Sequence, residues 1–207
     1  MKKKHIIFDL DGTLSDTARA TSAAVTEARD IHGFPNVNYD SILDAMGLPG
    51  LEFYSHLYPN VSEKELLQIE KLVDDAEERA ILSLGRDILF PGVYDMLSKL
   101  HEYGYRLYIA STGGKPHVDT TLDATGIRFL FSQVHCGKPE KISMVRDIIL
   151  GQPPDEWAMV GDMYKDSEAA RANNILALGA GFGYLAEKDI SLFDYVLTKP
   201  ADIYTHL

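Results

Sequence analysis

Short apolar runs alternate with longer amphipathic stretches through the second half of the chain. Apolar runs of this length are typical of buried strands, and apolar residues at helical spacing are typical of packed helices. The predicted strands cover residues 106–110, 131–136, 157–161, 175–179 and 195–197, and the predicted helices cover roughly 92–103, 116–124, 139–150 and 164–173. A further strand is predicted at His5–Phe8. This alternation predicts an α/β fold, with a Rossmann-like parallel sheet and helices on both faces.

Residues 15–84 depart from the alternation, because they contain no strand-like run and have helical patterning throughout. Ser62 and Glu65 form a capping-box sequence in front of a periodic apolar stretch, which predicts the start of a long helix. We therefore predict an all-helical domain at residues 15–84, inserted into an α/β domain formed by residues 1–14 and 85–207.

Two aspartates follow the first predicted strand directly. Asp9 ends the apolar run, and Asp11 comes two residues later. Open α/β sheets bind ligands at the carboxyl ends of their strands, and two carboxylates there are costly without a compensating cation. A divalent metal is the candidate cation, because hard cations take oxygen ligands. An aspartate beside a metal can also act as a nucleophile, so the pair indicates phosphoryl transfer.

The next two predicted strands end in groups that suit a phosphate. Ser111 follows the strand at 106–110, and the glycines after it leave backbone N–H groups free to bind an anion. Lys138 lies two residues after the strand at 131–136, where its ammonium could balance a carboxylate and phosphoryl oxygens. Lys141 is the local competitor, and we expect it to face solvent.

The predicted strand at 157–161 ends in acidic residues again. Asp162 follows the strand and Asp166 comes one helical turn later, so both side chains can face Asp9 across a cleft. Two acids at this spacing could also serve only to stabilise the start of a helix. Together with the other strand ends, they favour a site for a metal and a phosphate.

Composition and charge exclude other classes of function. The 207 residues carry a net charge of −11 and form no basic stripe, which argues against a nucleic-acid polymer as partner. No segment approaches the ~20 apolar residues of a membrane span. The single cysteine, Cys136, excludes an internal disulfide and suits a reducing compartment. We expect a cytoplasmic protein without a membrane partner, and most of its negative charge lies in residues 15–84.

The order of these motifs resembles that of the haloacid dehalogenase superfamily, in the subgroup with a helical cap inserted after the first motif. The resemblance spans nearly the whole chain and implies that residues 15–84 form the cap domain. The matching motifs are Asp9-Leu10-Asp11-Gly12-Thr13, Ser111, Lys138 and Gly161-Asp162-Met163-Tyr164-Lys165-Asp166.

The resemblance implies a role for each of these residues. Asp9 is expected to attack the phosphoryl group, and Asp11 to protonate the leaving oxygen and later deprotonate water. Mg2+ is the expected cofactor, held by Asp9, the backbone carbonyl of Asp11 and Asp162, with Asp166 ordering a water, holding Lys138 or ligating directly. The transferring oxygens are expected to contact Ser111, Lys138 and the amides of Leu10, Asp11 and Thr112.

Several chemistries share this scaffold, and the resemblance favours a phosphoglycolate phosphatase-like enzyme for a small phosphorylated metabolite. Asp11 argues against dehalogenation, which has no leaving oxygen to protonate. Thr21 stands where β-phosphoglucomutases carry a histidine, which weakens the mutase alternative without excluding it. A protein that binds a phosphorylated ligand without turnover is a further alternative. Arg19, His56 and residues 47–50 are candidates for contacting the leaving group, and the particular ester and the oligomeric state stay open.

Overall fold

A six-stranded, wholly parallel sheet forms the centre of residues 3–207, which are the residues that the computed structural model describes. Residues 1 and 2, the start of the predicted α/β domain, lie outside the described residues. The strand order is β3-β2-β1-β4-β5-β6. The strands are β1 (His5–Phe8), β2 (Arg106–Ser111), β3 (Phe131–Cys136), β4 (Trp157–Gly161), β5 (Leu176–Ala180) and β6 (Tyr195–Leu197).

Eight α-helices accompany the strands in the described residues. They are α1 (Thr17–His32), α2 (Tyr39–Ala45), α3 (Gly50–Leu57), α4 (Glu63–Leu84), α5 (Val93–Glu102), α6 (Lys115–Thr125), α7 (Lys141–Ile149) and α8 (Tyr164–Ala172). Short 3-10 turns lie at Gly85–Ile88, Arg128–Leu130, Pro154–Glu156, Glu187–Leu192 and Pro200–Thr205. None of the helices in residues 3–207 is long and apolar enough to cross a membrane.

Apolar side chains cover both faces of the sheet. Along β1, Ile6 and Phe8 join a core cluster on one face, and Ile7 joins the cluster on the other. This division follows from the strand geometry, in which successive side chains point to opposite faces. Helices α5 and α6 supply the first cluster, and α7 and α8 supply the second. The predicted α/β fold with helices on both faces of a parallel sheet is confirmed.

Helices α1–α4 form a separate apolar cluster, and we call them the cap helices. Val25, Ile42, Leu57 and Val73, one from each helix, are buried in it. The predicted capping box is present, because the Ser62 hydroxyl accepts from the N–H of the third helical residue and α4 begins directly after Ser62. The all-helical cap is therefore confirmed as an architecture, whereas the division into domains at residues 14/15 and 84/85 stays a prediction.

Candidate active site

The strand order brings three motif residues to one edge of the sheet. Strand β1 lies between β2 and β4, and parallel pairing places the carboxyl ends of all three together. Asp9 follows β1, Ser111 ends β2, and Asp162 follows β4. The backbone N–H of Asp9 donates to the carbonyl of Val160 at 2.9 Å, which extends the pairing of β1 with β4 up to Asp9. The predicted meeting of motifs at strand ends agrees with this placement.

Three buried carboxylates converge at this edge. Asp9, Asp162 and Asp166 each offer an oxygen within 4.8 Å of the others, and all three side chains are almost fully buried. Burial raises the pKa of Asp9 to about 7, although Lys141 opposes the rise. Burial, reinforced by the charges of Asp9 and Asp166, raises the pKa of Asp162 well above its usual range.

The donor set of this cluster fits a hard divalent cation. Lys141 is the one cationic side chain that forms salt bridges with these carboxylates in the described part of the chain, so three acids share one cation. Mg2+ prefers oxygen ligands and is usually bound by one or two carboxylates. Asp162 is further fixed by the Thr13 hydroxyl, which donates to its Oδ1 at 2.5 Å. The residues therefore suit Mg2+, as the sequence predicts.

The lysine of the site is Lys141, and the prediction of Lys138 is wrong. Lys141 Nζ lies 2.9 Å from Asp9 Oδ1 and 2.6 Å from Asp166 Oδ1, and its side chain is 5% exposed. Lys138 is 58% exposed and pairs with Asp147 at the surface. The difference follows from where α7 begins. The helix begins at Lys141 and not at Pro139, and the side chain of Lys141, its first residue, is directed at the carboxylate cluster.

Two opposing effects determine the charge of Lys141. Burial alone would lower the pKa of its ammonium, but the carboxylates of Asp166 and Asp9 outweigh burial and raise the pKa. Lys141 is therefore cationic at neutral pH. Since it contacts both Asp9 and Asp166, it holds two members of the cluster at once.

Asp11 lies beside the cluster with one oxygen fixed by donors. Its Oδ1 accepts from the Thr17 hydroxyl at 2.6 Å and lies 2.8 Å from His117 Nε2. Burial alone would raise the pKa of Asp11, but the positive charge of His117 and the hydrogen bonds from His117 and Thr17 lower it. A Cβ at Gly113 would lie 3.2 Å from Asp11 Oδ2 and 3.1 Å from Ser111 Oγ. The second oxygen of Asp11 is therefore on the Ser111 side.

Two glycines are required by the close approach of the carboxylates. Gly12 has a φ of +79°, and a Cβ there would lie 2.5 Å from Asp162 Oδ2. A Cβ on Gly161 would lie 2.2 Å from the Asp166 carboxyl carbon. Both distances are far below van der Waals contact, so the acidic cluster can pack as it does only because these positions lack side chains.

The expected phosphate-binding residues lie around the same opening. Ser111 is buried, and its Oγ accepts from the N–H of Gly113 at 3.0 Å. Thr112 lines the cavity in front of it. The Leu10 side chain is buried in the core, and its carbonyl accepts from the N–H of Leu14 at 2.8 Å, which forms the turn after β1. Phosphate binding by these groups stays a prediction.

A cavity of about 500 Å³ lies between this cluster and the cap helices. Residues 47–50, which the sequence predicted to contact the leaving group, line it. Arg19 and His56 do not line it: Arg19 donates to the carbonyl of Asp87, and His56 is exposed on α3. The Lys165 ammonium donates to the carbonyl of Gly47 at 3.0 Å, which ties the cap loop to α8.

One face of α4 gives the cap side of the cavity an acidic character. The acidic side chains of this face are spaced along successive helical turns and point at the opening. They are Glu70, Asp74, Glu77 and Glu78, and Asp75 also lines the cavity. Tyr54 donates to the Asp74 carboxylate. Apolar contact surface is added by Met46, Leu48 and Phe53.

Two residues of the site, His117 and Glu77, were not predicted from the sequence. His117 Nδ1 lies 3.2 Å from Glu77 Oε2, and its other ring nitrogen faces Asp11. The sequence does offer an indication for His117, because it is the third residue of the helix that follows the Ser111 loop and therefore lies close to that loop. Glu77 had no such signal, since it is one of several acids on a long amphipathic helix.

Comparison with known proteins gives matches along most of the chain. The family described as haloacid dehalogenase-like hydrolase matches residues 6–180. Phosphoglycolate phosphatase from Vibrio vulnificus strain CMCP6 is 30% identical over 195 residues, which cover 87% of this chain and 85% of that protein.

Two solved structures have the same fold. A predicted phosphoglycolate phosphatase from Haemophilus somnus has a TM-score of 0.86 at 22% identity, covering 100% of this chain and 98% of that one. The HAD-hydrolase YfnB from Bacillus subtilis, bound to magnesium, has a TM-score of 0.79 at 16% identity, covering 100% of this chain and 99% of that one. These likenesses extend over the sheet and the cap helices together.

Proposed function

The chain belongs to the haloacid dehalogenase-like hydrolases and is a phosphoric monoester hydrolase, and we propose that it uses Mg2+ and a phosphorylated Asp9 to hydrolyse a small phosphate monoester. The observation that carries this proposal is the cluster of Asp9, Asp162 and Asp166 around Lys141, with Asp11 opening onto the same cavity. This arrangement supports a reaction in which the attacking carboxylate, the acid and a bound cation act at one end of a small cavity.

The metal site we propose consists of the carboxylates of Asp9, Asp162 and Asp166 and the backbone carbonyl of Asp11. When bound, Mg2+ would neutralise charge on the phosphoryl oxygens and on the attacking carboxylate. The magnesium in the related YfnB structure supports this assignment. The otherwise uncompensated charge of three buried acids supports it independently.

The proposed reaction has two steps on this chain's own carboxyl groups. In the first, an oxygen of Asp9 forms a bond to phosphorus while the bond to the leaving oxygen breaks, and Asp11 gives that oxygen a proton. In the second, Asp11 takes a proton from a water that attacks phosphorus, which releases phosphate and restores Asp9. Lys141 holds Asp9 and helps to neutralise the phosphoryl group, for which Ser111 and the Thr112 amide supply hydrogen bonds.

The cavity supports a substrate with a small, uncharged or cationic alcohol group. A volume of about 500 Å³ suits a small metabolite. The leaving group would face the acidic side of α4, where a carboxylate would be repelled. Phosphoglycolate is the substrate to compare with such esters, because a similar protein is a phosphoglycolate phosphatase. The leaving group of phosphoglycolate carries a carboxylate, which the acids of α4 would repel. We expect glycerol phosphate or phosphoethanolamine to be hydrolysed with a higher kcat/KM than phosphoglycolate.

The test is hydrolysis of p-nitrophenyl phosphate and of these three esters, with Mg2+ and with EDTA. We expect Mg2+-dependent release of phosphate, lost in Asp9→Asn and kept in Asp95→Asn, an exposed aspartate on α5. Acid quenching during turnover should trap phosphate on Asp9 in the wild-type protein. Turnover that survives EDTA or Asp9→Asn would overturn the mechanism, and a preference for phosphoglycolate would overturn the proposed substrate class.

A further inference from the structure

His117 connects the Asp11 carboxyl to the cap. It belongs to α6 of the sheet domain, and its side chain is 20% exposed. Nε2 lies 2.8 Å from Asp11 Oδ1, and Nδ1 lies 3.2 Å from Glu77 Oε2 on cap helix α4. The His117 ring therefore bridges the carboxylate of Asp11 and a carboxylate of the cap.

The other end of the bridge is fixed within the cap. The Thr21 hydroxyl on α1 donates to Glu77 Oε1, so Glu77 is held by a second cap helix while it contacts His117. The bridge thus joins α1 and α4 of the cap to α6 and the Asp11 loop of the sheet domain.

The bridge also decides which oxygen of Asp11 can carry the proton. Both hydrogen bonds to the Asp11 carboxyl, from Thr17 and from His117, go to Oδ1. Oδ1 is therefore an acceptor in either protonation state, and a proton on Asp11 must sit on Oδ2. Oδ2 is on the side of Gly113 and Ser111, at the cavity. A proton held there faces the cavity.

We propose that His117 is a positioning residue that aligns Asp11 for proton transfer when Glu77 of the cap helices covers the site. With Glu77 in contact, the His117 ring is held at both nitrogens and in turn holds Asp11 Oδ1, which leaves Oδ2 as the oxygen that exchanges the proton. Without that contact His117 has one partner and is free to turn away from Asp11. The inference rests on the proposed function, in which Asp11 gives a proton to the leaving oxygen.

The test compares leaving groups, because only a poor leaving group depends on protonation by Asp11. The variants are His117→Asn and Glu77→Gln, with His101→Asn on the exposed side of α5 as the matched control. For glycerol phosphate, kcat/KM should fall by about 10-fold or more in both site variants, whereas for p-nitrophenyl phosphate it should fall by less than about 3-fold. His101→Asn should match the wild type on both esters. Mg2+ affinity, measured by calorimetry, should be the same in all variants.

A merely structural role for His117 would lower both kcat/KM values by the same factor, and that result would overturn the inference. An unchanged kcat/KM for glycerol phosphate in Glu77→Gln would also overturn it, because the cap contact would then have no effect on Asp11. If His117→Asn does not fold, as judged by thermal denaturation, Glu77→Gln decides the question on its own. A wild-type protein without Mg2+-dependent turnover of either ester would overturn the proposed function, and this inference with it.

Discussion

Replacing Lys141 tests the charge balance of the site most directly. Lys141→Met keeps much of the side-chain volume and removes the ammonium that bridges Asp9 and Asp166. The matched control is Lys138→Met, three residues earlier in the chain, where the lysine is 58% exposed and pairs with Asp147 at 3.3 Å. The two variants separate the buried ion pairs from an exposed one formed by the same residue types.

The expected magnitude follows from the distances. At an effective dielectric constant near 20, separations of 2.9 and 2.6 Å correspond to roughly 6 kcal/mol of attraction each. Much of this attraction offsets the desolvation of the buried charges, and removing one partner of a buried pair costs about 3–5 kcal/mol. An exposed pair such as Lys138–Asp147 contributes below about 1 kcal/mol. Lys141→Met should therefore lose about 3 kcal/mol or more, and Lys138→Met less than about 1 kcal/mol.

The assay is urea unfolding in EDTA at pH 5 and pH 8. In Lys141→Met the carboxylates lose their cation, so their pKa values in the folded state should rise further. An acid with a raised pKa in the folded state binds more protons when folded than when unfolded, so stability falls as pH rises. The loss caused by Lys141→Met should thus be larger at pH 8 than at pH 5. A loss below 1 kcal/mol at pH 8, or one equal at both values, would refute the reasoning.

Three further predictions concern the neighbouring residues. Asp11→Asn should lower turnover by at least about 10²-fold while Mg2+ affinity, measured by calorimetry, stays unchanged; a wild-type rate would contradict its role. Gly12 and Gly104 both have a positive φ, +79° and +83°, so replacing either with alanine should cost a similar backbone strain of about 1–3 kcal/mol. Only Gly12→Ala should weaken Mg2+ binding, because a Cβ at Gly12 would meet Asp162, whereas a Cβ at Gly104 would meet open space. Equal Mg2+ affinities of the two variants would contradict this. In the metal-free wild-type protein, burial raises the pKa of Asp9 in the folded state to about 7, so the free energy of unfolding should fall as the pH rises from about 4 to 7. An unfolding free energy, measured in urea, that does not change over this pH range would contradict the buried cluster.

The sheet and the acidic residues of the site were predictable because they depend on local sequence. A short apolar run followed by Asp9, or by Asp162, defines both a strand and the residue at its end. Parallel pairing then brings those ends together without further information. The lysine was not predictable in the same way. Lys138 and Lys141 lie three residues apart, and the choice between them depends on a helix start that differs by two residues from the predicted one.

The cap side of the site could not be predicted, because it depends on how helices are turned about their axes. The sequence predicts the start of α4 from Ser62 and Glu65, but it does not show which way the acidic residues of this helix face. Packing of α4 on α1 and α6 turns several of these acids over the cavity and places Glu77 against His117. These two residues are 40 positions apart, and neither belongs to a motif. Under the proposed function, the acidic residues of α4 would face the leaving group, so substrate specificity should change with substitutions in α4 more than with substitutions in the sheet.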